Sequence, residues 1–197
     1  MIGTFPAFAR APLDYRYALD AAMSIFAGKS PPRVLCNPPE LMSEIRQRIP
    51  FWAETSTAPA GLWVEPLRDT WREDLQSLAG ALTGGAPLVI IASRALARLL
   101  LERHSWAGKP LGFLPGGIAR LQHALARAGF LIEASYGIHS ALAIGLNTSS
   151  QLMERWGRSD IGDRLHLAAR HHYCTSGPLA MLGTVMLLIA RKEQVES

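Results

Sequence analysis

The side chains able to do chemistry fall at a few places in the chain. Ser93-Arg94 follows the apolar run Leu88-Val89-Ile90-Ile91-Ala92, and Tyr136 and His139 follow the run that begins at Phe130. Both places are the carboxyl ends of expected strands, where open parallel sheets bind ligands, so Ser93, Tyr136 and His139 are expected on the substrate side of a pocket. A histidine there can act as a general base near neutral pH. Cys36 closes another short apolar run and has no basic neighbour in sequence to favour a thiolate, so it is expected as a packed thiol. His166, His171, His172 and Cys174 are of metal-ligand type. Asp163 and His166 share a helical face while His171 and His172 point apart, which is not a zinc spacing, and no metal is expected. There is no Gly-x-Ser-x-Gly elbow, phosphate-binding loop or dinucleotide glycine fingerprint.

Strands and helices must position these residues, and they alternate. Leu19, Ala22, Met23 and Phe26 repeat as one face of a helix that Pro12 can open and Gly28 ends. Arg33 to Cys36 reads as a short strand cut off by Asn37-Pro38-Pro39, followed by a helix with Leu41 or Met42, Ile45 and Ile49 inward. Phe51 to Glu54 and Gly61 to Pro66 read as further strands. Thr70-Trp71-Arg72-Glu73 matches a capping box ahead of a helix on Leu75, Leu78, Ala79 and Leu82, stopped by Gly84-Gly85. The unbroken run at Leu88 to Ala92 predicts a strand covered on both faces. Helices follow on Leu96, Leu99 and Leu100 and on Ile118, Leu121 and Leu125, then a strand over Phe130 to Tyr136. Residues 140 to 175 read as two or three short helices and Leu182 to Ala190 as a last strand. The fold class is therefore α/β, a parallel or mixed sheet with helices on both faces.

The chain has 197 residues, 49% apolar and 18% charged, with no repeat or charged linker, and one domain over residues 1–197 is expected. Two cysteines make no disulfide framework, no signal peptide is apparent, and the longest apolar stretch is about half the ~20 residues of a membrane span, so a soluble cytoplasmic protein is expected. Residues 87–197 hold 12 Lys/Arg against 7 Asp/Glu, but the basic residues stand singly, so a nucleic-acid partner is not expected. Trp63 and Trp71, flanking one strand-to-helix connection, suit a pocket lining or a partner-facing surface as well as a core.

From residue 61 onward the chain resembles the carboxyl-terminal half of class I S-adenosylmethionine-dependent methyltransferases. GLWVEPLRDTWREDLQSLAGALTGGAPLVIIAS looks like the fourth strand, the following helix, the glycine turn and the fifth strand. GGIARLQHALARAGFLIEASYG is similar to the helix leading into the sixth strand. MLGTVMLLIARK looks like the seventh, which in this family runs antiparallel between its neighbours. The resemblance implies a Rossmann-like sheet whose amino-terminal half, residues 1–60, is reduced. The family's acidic residue and Gly-x-Gly-x-Gly turn after the first strand are absent, and PPRVLCNPPEL stands in their place. Glu54 lies about 20 residues after the first strand, where the family's ribose-binding acid stands. Cys36-Asn37-Pro38-Pro39-Glu40 also resembles the Asn-Pro-Pro-aromatic motif of methyltransferases acting on amide or amino nitrogens, with Glu40 in place of the aromatic residue.

The resemblance implies a degenerate, non-catalytic binding or assembly subunit, a homodimer or the companion of a methyltransferase, in which missing elements leave an apolar face exposed. The alternative is a divergent methyltransferase holding S-adenosylmethionine through a remodelled loop at Cys36, Asn37, Glu54 and Glu65. A third reading is a nucleic-acid binder using arginines of the second half.

Overall fold

A computed structural model describes residues 12–26, 32–37, 41–48, 57–93, 111 and 116–194. In chain order they form α1 (Pro12–Phe26), β1 (Arg33–Cys36), α2 (Leu41–Arg48), β2 (Gly61–Val64), α3 (Trp71–Ala81), β3 (Pro87–Ser93) and α4 (Gly117–Arg127). There follow β4 (Phe130–Ser140), α5 (Ala141–Arg155), α6 (Ser159–His171), β5 (Cys174–Ser176), a short 3-10 helix (Gly177–Leu182) and β6 (Gly183–Lys192).

The six strands make one mixed sheet in the order β1-β2-β3-β6-β4-β5. β1, β2 and β3 are parallel, and β6 runs antiparallel between β3 and β4. That is the placement the resemblance implies for the terminal strand. β3 is buried at all seven positions, as its unbroken apolar run requires. Its alternate residues feed two cores. Val89 and Ile91 join Leu62, Val64, Leu187 and the α1 residues Ala18, Leu19, Ala22 and Phe26 on one face, with Ile45 of α2. Leu88 and Ile90 join Trp63, Leu188 and the α3 and α4 residues Leu75, Leu78, Leu121 and Leu125 on the other. Helices therefore cover both faces, each through the apolar stripe legible in its sequence.

The strand expected over Phe51 to Glu54, the helix on Leu96 to Leu100, and Glu54 and Glu40 themselves lie outside the described residues. Three expectations are corrected. Thr70 does not cap α3 with its side chain: its backbone is helical, and the hydroxyl donates to Asp74 Oδ2 at 3.1 Å instead of accepting from an amide. Trp63 and Trp71 offer neither a pocket lining nor an outward face among the described residues. Both are in the α3-side core, at 0% and 6% exposure, and Trp63 Nε1 meets no hydrogen-bond partner among the described residues. Between residues 140 and 175 the chain forms two helices of 15 and 13 residues, then β5, a three-residue edge strand that pairs Tyr136–Ile138. So short a strand has no periodicity to read.

β4 and β6 touch where two glycines meet. A methyl at Gly183 would stand 2.5 Å from the Gly137 Cα, and one at Gly137 would overlap the Ala180 carbonyl of the 3-10 helix. Only bare backbone permits that approach.

Candidate functional site

The parallel strands end along one edge of the sheet. β1 runs out at Cys36 into Asn37, β2 at Val64 into Glu65, and β3 at Ser93. The Asn37 amide nitrogen donates to the Val64 carbonyl at 3.2 Å and Glu65 N donates to Ile91 O at 2.8 Å, so the parallel ladder continues one residue beyond each assigned strand.

Past that point the chain turns sharply. Glu65 has φ 54°, a left-handed conformation unusual for a residue with a Cβ. The turn carries the fully buried carboxylate onto β3, where Oε1 accepts from Ser93 N at 2.7 Å and Oε2 accepts from Ser93 Oγ at 2.9 Å. Asn37 Nδ2 in turn donates to the Glu65 carbonyl at 2.8 Å. Asn37, Glu65 and Ser93 are thus one network spanning three strand ends. A buried carboxylate is tolerable because it is hydrogen-bonded, and the strained backbone is retained because the network over-determines it.

The other left-handed non-glycine among the described residues lies on the same edge. It is His139, also at φ 54°. In the ladder Ser93 pairs Val185, and Val185 pairs Ile138, so β4 delivers His139 just beyond that row. The left-handed turn breaks strand alternation, and the imidazole stacks on Tyr173 with ring centroids 5.4 Å apart and planes 23° apart. Tyr173 meets Tyr17 of α1 edge-on at 5.8 Å. Burial pushes the Cys174 thiol above the ordinary cysteine range, partly offset by a hydrogen bond with Tyr17.

Of the residues singled out in the sequence, Asn37, Glu65 and Ser93 come together, and His139 joins the same edge through an aromatic stack. Cys36 and Tyr136 are half-buried against the α1-side core, so each contributes packing from within its strand. Sequence reading missed Tyr17 and Tyr173, since lone tyrosines carry no spacing signal. His166 Nδ1 stands 3.1 Å from Asn147 Oδ1, bridging α6 to α5. Among the described residues no group of three metal-ligand side chains converges.

The resemblance implies S-adenosylmethionine, and the geometry allows a test of fit. A cradle for it needs donors and acceptors facing outward from the strand ends. Here Glu65 is turned inward onto Ser93, and the half-buried Asn37 amide gives one N–H to the Glu65 carbonyl, with its second N–H and Oδ1 outside that network. Asn37 alone among these three groups is left to face a ligand, too few outward groups to make a cradle from the described residues by themselves.

No family model matches the sequence, and no curated protein matches it. Solved structures do. A Thermotoga maritima S-adenosylmethionine-dependent methyltransferase, described as a possible histamine N-methyltransferase, superposes at TM-score 0.54 with 13% identity over 94% of both chains. A mycolic acid cyclopropane synthase in its apo form matches at 0.41, with 8% identity over 87% of this chain and 77% of its own. A Haemonchus contortus N-methyltransferase bound to phosphomonomethylethanolamine and S-adenosylhomocysteine matches at 0.39, with 10% identity over 98% and 61%. Only the first superposes closely enough to fix the fold. Together with the antiparallel β6 between β3 and β4, it shows that the chain has the class I methyltransferase-like fold.

Proposed function

We propose that this protein is a degenerate, non-catalytic member of the methyltransferase-like group, acting in the cytoplasm as a binding or assembly subunit. One observation carries the reading. The polar groups at the strand ends, Asn37, Glu65 and Ser93, are hydrogen-bonded to one another and so brace the edge of the sheet. In sequence, Pro38 and Pro39 follow Asn37 where a glycine turn would leave backbone amides bare for a ligand. A fold that keeps its sheet and gives up its ligand turn retains surfaces for association, with a second copy or with an active methyltransferase.

The test is calorimetric titration of the full chain with S-adenosylmethionine and with S-adenosylhomocysteine. No heat up to millimolar ligand is expected; micromolar binding overturns the reading.

A second reading draws on a different observation. Glu65 and His139, the two left-handed non-glycine residues, both stand at the carboxyl edge, and stored strain gathers at functional sites. This supports a divergent methyltransferase with a remodelled loop at Cys36, Asn37, Glu54 and Glu65. On that reading ligand heat appears and is lost in Asn37→Ala and Glu54→Ala.

A further inference from the structure

β4 is longer than the strand beside it. It pairs β6 along its length, but β5 takes up its other edge only at residues 136–138. At Gly177, with φ 60°, the chain leaves that edge for the 3-10 helix, and among the described residues no strand pairs the rest of it. An open groove of about 350 Å³ lies there, lined by Ile132, Glu133, Ser135 and Tyr136 and by Ser176 and Gly177, where β5 stops.

The open stretch carries backbone hydrogen-bonding groups. Glu193 N donates to Gly129 O at 2.8 Å, whereas Lys192 N turns the other way, to Ala86 O at 3.0 Å. Such groups alternate along a strand, so Leu131 bonds across the ladder to Arg191. The amides and carbonyls of Phe130 and Ile132, opposite Lys192 and Ala190, therefore point out of the sheet edge. The register shift at Glu133 ends that alternation just beyond the outward pair. The side chains beside these groups are apolar: Leu131 is 59% and Ile132 37% exposed, one on each face. Edge strands are ordinarily blunted by charge. Between residues 129 and 136 the charge is Glu133 alone, and it is ion-paired with Arg191.

We propose that this edge is the seam of a two-fold homodimer, in which β4 pairs antiparallel with β4 of a second copy. Both outward residues of both copies find partners in one register only: Phe130 opposite Ile132 of the second copy, Ile132 opposite its Phe130, and Leu131 on the axis against its Leu131. Each Phe130–Ile132 pair exchanges both N–H···O bonds, and the non-bonded position between them brings the two leucines together. Glu133 falls opposite Gly129, which has no side chain to meet it. Charge does not choose the partner: Arg127, Glu133, Arg191 and Glu193 border the seam, two of each sign, and the Lys192 ammonium is held by the carbonyls of Ala79 and Leu82. Preorganisation does. A loose peptide of another protein would lose its conformational freedom on entering the groove, whereas β4 of a second copy is already held extended by β6. The inference rests on the assembly reading and deepens it by naming the partner. Mass and amide exchange report on it and ligand heat on that reading, so either can fail without the other.

The experiment is sedimentation of the full chain from about 10 μM to about 1 mM, with amide exchange followed by NMR at both ends of the range. A dimer is expected, and with it the Phe130 and Ile132 amides exchange several-fold more slowly at the high concentration, while the Leu131 amide, bonded to β6, is protected at both. Leu131→Asp is expected to weaken the dimer about tenfold or more. Ile132→Pro removes an outward donor without touching the ladder to β6 and is expected to abolish it. Unchanged melting of the two variants confirms that they fold, and the exchange measurement needs no variant. A monomer throughout the range overturns the proposal. So does a dimer in which the Phe130 and Ile132 amides exchange as fast as in the monomer, and so does a dimer that both variants leave intact.

Discussion

Glu65 reaches from the end of β2 to Ser93 at the end of β3 and accepts from it twice, once from the amide and once from the hydroxyl. Two parallel strands are thereby joined by a side chain where the backbone ladder stops. Glu65→Ala leaves a buried amide without its acceptor and keeps the left-handed backbone without its reward, so a loss of about 2–4 kcal/mol is expected. Ser93→Ala removes one hydrogen bond and is expected to lose about 1–2 kcal/mol. Urea denaturation checks both; equal, negligible losses would show that the network contributes nothing to holding the edge.

Lys192, at the end of β6, reaches across to α3 and donates through Nζ to the carbonyls of Ala79 and Leu82. The last carbonyls of a helix lack partners within it, and a cation there also meets the negative end of the dipole. Lys192→Met keeps the stem and removes the ammonium, and is expected to lower stability by about 1–2 kcal/mol in thermal melts at low salt. Lys192→Arg is expected to recover part of it.

Two glycines should respond in opposite directions to the same methyl group. Gly137→Ala forces the chain into the Ala180 carbonyl and is expected to lose about 3 kcal/mol or more, or to prevent folding. Gly145, inside α5, has no atom within 4 Å of where a Cβ would lie, and Gly145→Ala is expected to stabilise by about 0.5–1 kcal/mol. Parallel melts of the two variants decide it, and a destabilised Gly145→Ala would mean that something covers that face of α5.

Burial holds the Cys174 thiol protonated at neutral pH, and the hydrogen bond with Tyr17 works the other way. The thiolate is the form that reacts with alkylating agents. Labelling of Cys174 at about pH 7.5 is expected to be slower than for a free cysteine and to climb as pH rises beyond the usual thiol range. Tyr17→Phe removes the interaction that lowers the pKa and should slow labelling further. Faster labelling in Tyr17→Phe, followed by peptide mass spectrometry, would count against the assigned contact.

Much of the architecture was legible in the residues alone, because it depends on short-range pattern. The unbroken run from Leu88 to Ala92 has the length of a strand covered on both faces and follows Gly84-Gly85 and Pro87, and Ile118, Leu121 and Leu125 repeat at the helical period, with Gly129 at φ 77° ending the turn after α4. The resemblance of the terminal MLGTVMLLIARK likewise placed β6 between β3 and β4. The site was legible only as a set of separate candidates. Asn37, Glu65 and Ser93 stand at successive intervals of 28 residues, and neither their meeting nor the left-handed turns at Glu65 and His139 is written in local spacing. Those follow from strand order and register, which long crossovers decide. Tertiary packing also drew Trp63 and Trp71 into the core, whereas the Thr70 hydroxyl was turned to Asp74 by a local contact four residues on, once its backbone joined the helix. Tertiary packing also placed the exposed apolar side chains. Apart from Tyr17, all of those among the described residues lie between Leu131 and Met181, at the β4–β5 end of the sheet, on β4, the hairpin of α5 and α6, and the 3-10 helix.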